Sequence, residues 1–181
     1  MPNKTHKTAL VIIPPKDLWP PIQAIRKRHD RIFRRWMPHI TMVYPFRPKE
    51  EFHVLAPDLS SLCQEIEPFE IELAQFRFFG HSKKRFTLWL APEPDSQLVD
   101  LQSAFLKIVP DCNEVNLFPG GFTPHLSVGQ VRGRSKMDKL LRELQQNWKP
   151  LPFVVQEISL IWRDEPPDDV FRLAQTVRLK Y

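Results

Sequence analysis

The sequence predicts an α+β fold made of two related halves, and three observations lead there. A five-residue phrase of proline, histidine, apolar, hydroxyl and apolar residues occurs twice, as Pro38-His39-Ile40-Thr41-Met42 and Pro124-His125-Leu126-Ser127-Val128. Each copy alternates with the period of a strand, and each has an aromatic two residues before its proline, Trp36 and Phe122. Downstream, similar patterns return at nearly equal distances: 30 residues from His39 to Phe69 against 28 from His125 to Phe153, and 47 from His39 to Phe86 against 46 from His125 to Phe171. Matched order and spacing indicate an internal duplication. The halves, about 1–92 and 93–181, form one bilobal domain in which terminal strands can exchange between lobes.

The elements follow in order. Thr8 to Ile13 is short, rich in Val and Ile, and reads as a buried strand stopped by Pro14-Pro15. Asp17-Leu18-Trp19-Pro20-Pro21 opens a helix, with prolines where a missing N–H costs little, and Ile22, Ile25, Ile32, Phe33 and Trp36 continue at helical spacing. His39 to Phe46 is the first motif strand. A helix over about Pro57 to Ile66 leads to a strand pair, Phe69 to Phe79 and Arg85 to Ala91, joined by the turn-like Gly80-His81-Ser82-Lys83-Lys84. Asp95 to Val109 places Leu98, Leu101, Phe105 and Ile108 on one helical stripe. After Gly120-Gly121 the pattern restarts: strand His125 to Val131, helix Lys136 to Trp148, strand Phe153 to Trp162, and a final alternating strand Val170 to Leu179.

Composition narrows the functional classes. With 181 residues, 42% hydrophobic and 26% charged, the chain has the makings of one packed domain and not of a disordered one. A net charge of +5 favours an anionic partner. Cys63 and Cys112 lie in no CxxC or metal-ligand spacing, which fits free thiols in a reducing compartment. No apolar run approaches the roughly 20 residues of a membrane span, so a soluble, cytoplasmic protein without membrane contact is expected.

In a strand, residues i and i+2 share a face, so His39 sits beside Thr41 and His125 beside Ser127. Halves related by an approximate two-fold axis bring the two histidines into one central cleft. An imidazole titrating near neutrality beside a hydroxyl, supplied twice, suits acid/base chemistry at a bound phosphate. The sequence has no HxH, HExxH or clustered carboxylate set, so neither a metal nor another cofactor is expected.

These two motifs resemble those of the 2H phosphoesterase superfamily, which carries two His-x-Thr/Ser-x motifs on pseudo-symmetric lobes. The resemblance spans essentially the whole chain and is greatest to the 2′-5′ RNA ligase and cyclic phosphodiesterase branch. It implies two antiparallel sheets facing a central cleft with helices outside, catalytic roles for His39 and His125, and phosphate binding by Thr41 and Ser127. The second motif has Ser where the first has Thr, a variation the family pattern allows. The implied activity is metal-independent hydrolysis of a 2′,3′-cyclic phosphate on an RNA 3′ end or a nucleotide, by a monomer. The alternative is a module that holds such a ligand in the same cleft without turnover.

The remaining polar motifs carry weaker signals. Arg26, Lys27, Arg28, Arg31, Arg34 and Arg35 form either a solvated helix face or a guide for RNA backbone. Lys83-Lys84-Arg85 and Arg132-Gly133-Arg134 sit near strand ends, where a cleft rim is plausible. His6, His29, His53 and His81 read as surface or packing residues, and Tyr44 and Trp89 as core aromatics that are also able to stack on a base. Gly120-Gly121 reads as a turn whose backbone could approach the phosphate.

Overall fold

Strands pair antiparallel throughout, in two four-stranded sheets. The computed structural model describes residues 3–180. The first sheet has the order β2-β1-β7-β8, from Ile40–Val43, Thr8–Ile12, Glu157–Trp162 and Arg172–Arg178. The second has the order β5-β4-β3-β6, from Leu126–Arg132, Arg85–Glu93, Phe69–Ser82 and Leu151–Val155. Each sheet takes two strands from each half of the chain. Among the described residues four α-helices complete the fold: α1 (Trp19–His29), α2 (Phe52–Cys63), α3 (Ser96–Ile108) and α4 (Arg134–Asn147).

The structural repeat is strand, helix, motif strand. In β1-α1-β2 and in β4-α3-β5 an inner strand leads through a helix to the motif strand on the sheet edge. The equivalence thus begins before each motif, whereas the spacings downstream join unlike positions. Phe69 opens β3, an interior strand, while Phe153 lies in β6 on an edge. The expected single strand Phe153 to Trp162 is broken at Gln156, and its pieces enter different sheets. The alternation slips there: Phe153 and Val155 are buried before the break, Ile158 and Leu160 after it. A one-residue slip turns the side chains to the other face, so one continuous strand could not bury both sets.

Helix ends also differ from expectation. α1 stops at His29, with Asp30 as its cap, so Ile32, Phe33 and Trp36 lie in the turns beyond it. α2 begins five residues before Pro57 and carries that proline inside; expecting Pro57 at the first turn misplaced the start. One core cluster runs through both lobes, from Leu10, Ile12 and Met42 through Phe105 to Leu88, Leu90 and Leu126. A separate cluster of Ala9, Val11, Ile161 and Phe171 packs with Trp36 and Tyr44. β1 is therefore buried on both faces, which is why its apolar run is unbroken.

The helices of the two repeats also reach the motif strand of the opposite lobe, α1 against β5 and α3 against β2. α1 comes close because β5 has Gly129 at the crossing. A Cβ there would lie 2.6 Å from the His29 Cβ and 3.0 Å from its carbonyl oxygen. No helix among the described residues is long and apolar enough to cross a membrane.

Candidate active site

The two motif strands bring their histidines together at the interface of the lobes. β2 lies against β5, and a positive charge on His125 is felt at His39, where it disfavours protonation. Both rings are set by the same local bond. His39 Nδ1 lies 2.7 Å from the Met37 carbonyl oxygen and His125 Nδ1 2.8 Å from that of Thr123. A carbonyl only accepts, so Nδ1 carries the proton in each neutral ring and Nε2 is left bare. The acceptor stands two residues back, across Pro38 or Pro124. Proline holds its own φ near −65° and keeps the preceding residue extended, which gives the proline of the repeated phrase a physical purpose.

Burial dominates the acidity of both rings. Desolvation pushes His39 down to about 4, against a smaller upward pull from the Met37 carbonyl, with Arg26 and His125 lowering it further and Asp30 raising it. Burial also lowers His125, partly offset by the Thr123 carbonyl. In the free protein at neutral pH both imidazoles are therefore uncharged, each with a bare Nε2 able to take a proton. An anionic phosphate placed beside them favours protonation of one, which supplies the acid.

Aromatic residues enclose the rings. Trp36 stacks on His39 at 4.6 Å between centroids and 17° between planes, and its other neighbours are Phe171, stacked at 3.8 Å, and the edge of Tyr44. Around His125, Phe79 stands edge-on at 5.0 Å and Trp89 at 5.9 Å. Trp36 thus serves its own motif, whereas its counterpart Phe122 packs into the core. Thr41 and Ser127 are half-buried beside their histidines, with Val11 on β1 opposite Thr41 and Trp89 on β4 opposite Ser127. Trp89 is 4% exposed, and its indole N–H has no hydrogen-bond partner among the described residues.

A buried ion pair stands behind His39. Arg26 Nε donates to Asp30 Oδ2 at 2.9 Å, and its guanidinium also reaches Gln23 and the Trp36 carbonyl. Asp30 Oδ1 accepts from the Ile32 N–H and from Gln130 Nε2 on β5, and Gln130 Oε1 accepts from the Arg31 N–H. This chain of bonds fixes α1 of one lobe to the motif strand of the other. The sequence signal for it was the i, i+4 spacing of Arg26 and Asp30, which is common enough on helices to pass unnoticed.

The basic run therefore divides. Arg26 is structural, and Arg34 and Arg35 both pair with buried Asp169, which leaves Lys27, Arg28 and Arg31 as the exposed cations of the run that have no ion-pair partner among the described residues. Gly120 and Gly121 have positive φ, with open space where a side chain would project, as a turn requires. His81 Nε2 meets Thr87 Oγ1 at 2.7 Å, and His6 packs against Tyr44. Cys63 and Cys112 are free, buried thiols pushed up to about 11 by desolvation. No three His, Cys, Asp or Glu side chains among the described residues group as a metal-ligand set.

The fold and the sequence both have relatives. A protein of Oceanobacillus iheyensis named as a candidate phosphoesterase is 26% identical over 158 residues, covering 87% of this chain and 89% of its own. Another so named, from Geobacillus kaustophilus, is 30% identical over 129 residues, covering 68% and 69%. Among solved structures, Escherichia coli LigT matches with a TM-score of 0.62 at 16% identity over 99% of this chain and 100% of its own. The Thermus thermophilus protein TT0787 matches with a TM-score of 0.61 at 18% identity, covering 96% and 98%. The family model of the 2′-5′ RNA ligase superfamily matches residues 14–167, which include both motifs. With its fold, its two histidine motifs and that match, the chain belongs to the 2′-5′ RNA ligase superfamily, the 2H phosphoesterases.

Proposed function

We propose that the protein is a metal-independent phosphodiesterase that opens 2′,3′-cyclic phosphates on RNA 3′ ends or nucleotides. The observation that carries this reading is the pair of bare Nε2 atoms, each fixed by an Nδ1–H bond to a carbonyl two residues back. Plain anion binding would be better served by guanidinium groups, which hold a permanent charge and a two-pronged donor set. Two neutral imidazoles suit a reaction in which one proton is taken and another given.

The reaction balances with the residues present. One imidazole removes a proton from water as its oxygen bonds to phosphorus. The other, protonated in the phosphate complex, gives its proton to the departing ribose oxygen as that P–O bond breaks. The cyclic phosphate becomes a phosphomonoester, and the site is restored when the first histidine gives the proton it took to solvent and the second regains one. Thr41 and Ser127 hydroxyls hold the non-bridging oxygens and donate more strongly as charge grows on them. LigT, which shares the fold, has been crystallised with phosphate and with 3′-AMP, which supports a phosphate or nucleotide ligand here.

The test is hydrolysis of a 2′,3′-cyclic mononucleotide by the wild type and by His39→Ala and His125→Ala. Each substitution is expected to lower kcat by about 10³-fold, within the range of a lost acid or base, with the thermal melt showing a folded protein. Turnover at the wild-type rate in either variant would sink the two-histidine mechanism. Tight binding of the cyclic nucleotide, recovered unchanged from wild-type protein, would establish the binding module instead.

A further inference from the structure

Two hollows occupy matching places in the two lobes, and they differ in charge. One, of about 710 Å³, lies where β3, β4 and β5 end at the start of α4, and Lys84, Arg85, Arg132, Arg134 and Lys136 line it with no carboxylate. The other, of about 480 Å³, lies where β1, β2 and β7 end near the start of α2; its cations Lys7, Lys49 and Arg163 share it with Glu50 and Asp164. In the second hollow the cations are already engaged. Lys7 pairs with Glu165 at 2.6 Å, and the Lys49 ammonium sits 3.2 Å from the centre of the Trp162 ring. In the first, only Arg134 has an ion-pair partner among the described residues, Asp138.

The helix starts sharpen the contrast. The turn leading into α2 carries Glu50 and Glu51, charges that suit the positive end of a helix. α4, fourteen residues long, starts from Gly133 with no side-chain cap and no acidic residue in its first turn, and its opening residues are Arg134, Ser135 and Lys136. Cations crowd a helix end that is itself positive, and its first N–H groups lack a side-chain acceptor. An anion in the hollow would relieve both.

The hollow lies at the far end of the strand pair that carries Trp89 and Ser127. Across β4 and β5 the facing pairs run from Trp89 and Ser127, through Thr87 and Gln130, to Arg85 and Arg132. Five residues of strand from Ser127 to Arg132 span roughly 16 Å at about 3.3 Å each. That length corresponds to about five nucleotides stacked at about 3.4 Å. At its catalytic end stands Trp89, buried and with an indole N–H that no protein group among the described residues accepts.

Resting on the reading of the histidine cleft as a phosphodiesterase centre, we propose that this basic hollow binds backbone phosphates of a single-stranded RNA whose 3′ end lies between His39 and His125. The substrate is then the end of a polynucleotide, held over several residues, and not a free cyclic nucleotide. The strand leaves the cleft along the second lobe, because that lobe's hollow is the one whose cations stand largely unpaired among the described residues.

The test is binding of fluorescein-labelled hexauridylate ending in a 3′-phosphate, followed by anisotropy, with 3′-UMP measured by competition. Wild type is expected to bind the hexamer at least tenfold more tightly than 3′-UMP, with strong weakening by salt. Arg132→Glu with Lys136→Glu should remove that tenfold advantage and flatten the salt dependence, and the Gln pair should fall between. Lys7→Glu with Lys49→Glu makes the same change in net charge at the other hollow and should shift hexamer affinity by less than threefold. Melting curves confirm that each variant is folded. A hexamer bound no better than 3′-UMP, an advantage that survives the Arg132 and Lys136 reversal, or equal losses at both hollows would each overturn the proposal. The probe is not turned over, so this result is independent of catalysis. Hydrolysis of a cyclic mononucleotide without any hexamer preference removes the RNA tract and leaves the catalytic reading intact. Hexamer preference without hydrolysis does the reverse to the catalytic reading.

Discussion

His39 and His125 are held by the same backbone bond but live in different surroundings. Each ring donates from Nδ1 to a carbonyl across a proline, a device that needs only a few consecutive residues and can be repeated with the sequence that encodes it. The surroundings come from distant parts of the chain. Trp36 lies flat on His39, with Phe171 behind it and the Arg26–Asp30 pair nearby, whereas Phe79 and Trp89 meet His125 at steep angles. The repeated phrase supplies the chemistry twice; the unrepeated shells give the cleft two unlike ends. In the proposed reaction, the water side and the leaving-group side of the phosphate would meet these unlike ends.

The largest effect should come from the shell that only His39 has. Asp30→Asn removes the charge that compensates buried Arg26, itself 2% exposed. Breaking a buried pair by neutralising one partner costs about 3–5 kcal/mol, and denaturant unfolding should show a loss of that order. Asn keeps the shape and one acceptor, so the loss reports charge and not volume. A loss below about 1 kcal/mol, the scale of an exposed pair, would mean that Arg26 is satisfied by Gln23 and the Trp36 carbonyl alone.

Next come the two hydroxyls, where the halves are most alike. Thr41→Ala and Ser127→Ala each delete one donor to the proposed phosphate, and loss of one such donor costs about 10²–10³-fold in kcat. Comparable losses measured on a 2′,3′-cyclic nucleotide would extend the symmetry to the phosphate itself. If one variant lost more than tenfold more activity than the other, the phosphate would be bound asymmetrically.

A third effect is the pH dependence of stability. The folded pKa of His39 lies at about 4 against an ordinary 6.5, so the unfolded chain binds the proton more tightly and stability falls as pH drops through that window. At about 1.4 kcal/mol per pKa unit, the penalty reaches roughly 3 kcal/mol by pH 4 as an upper bound. His39→Ala should therefore lose less stability than wild type between pH 6.5 and pH 4, measured by urea unfolding at each pH. His125→Ala should act in the same direction, because burial lowers that pKa as well. Parallel curves for wild type and His39→Ala would contradict the burial of the ring.

Much of the site was legible because it is local. The alternation in each motif marked the strand and put His39 with Thr41 and His125 with Ser127. The third helix, with Leu98, Leu101 and Phe105 on one stripe, was equally plain. What escaped notice depended on contacts between segments far apart. Phe79 and Trp89 reach His125 from a hairpin some forty residues before it in sequence, and nothing in that hairpin's own pattern points to His125. The break at Gln156 was visible as a slip in alternation, yet only the pairing with β3 on one side and β1 on the other gives that slip its meaning. Downstream spacing suggested equivalent strands, and the sheet order places them differently. Length can coincide by chance; position in a hydrogen-bonded ladder cannot.

The smallest expected effect tests how the lobes are joined. Counting from the histidines, the position of Gly129 on β5 corresponds to that of Val43 on β2, a fully buried core side chain. The two strands differ there because α1 crosses β5 with His29 where a Cβ would project, so that even a methyl group has no room. Gly129→Ala forces a clash at 2.6 Å with the His29 Cβ and at 3.0 Å with its carbonyl oxygen. Neither atom is the end of a flexible side chain, so α1 itself must shift, and overpacking of this kind costs about 1–3 kcal/mol. The shift acts directly on the neighbouring bonds of Gln130 to Asp30 and Arg31, and through Arg26 on Trp36 and the His39 ring. A second substitution, His29→Gly, removes the Cβ contact but not the carbonyl contact. Combined with Gly129→Ala it should recover part of the stability and part of kcat, with a positive coupling in the double-mutant cycle. Full additivity of the two changes would mean that α1 is not what confines residue 129.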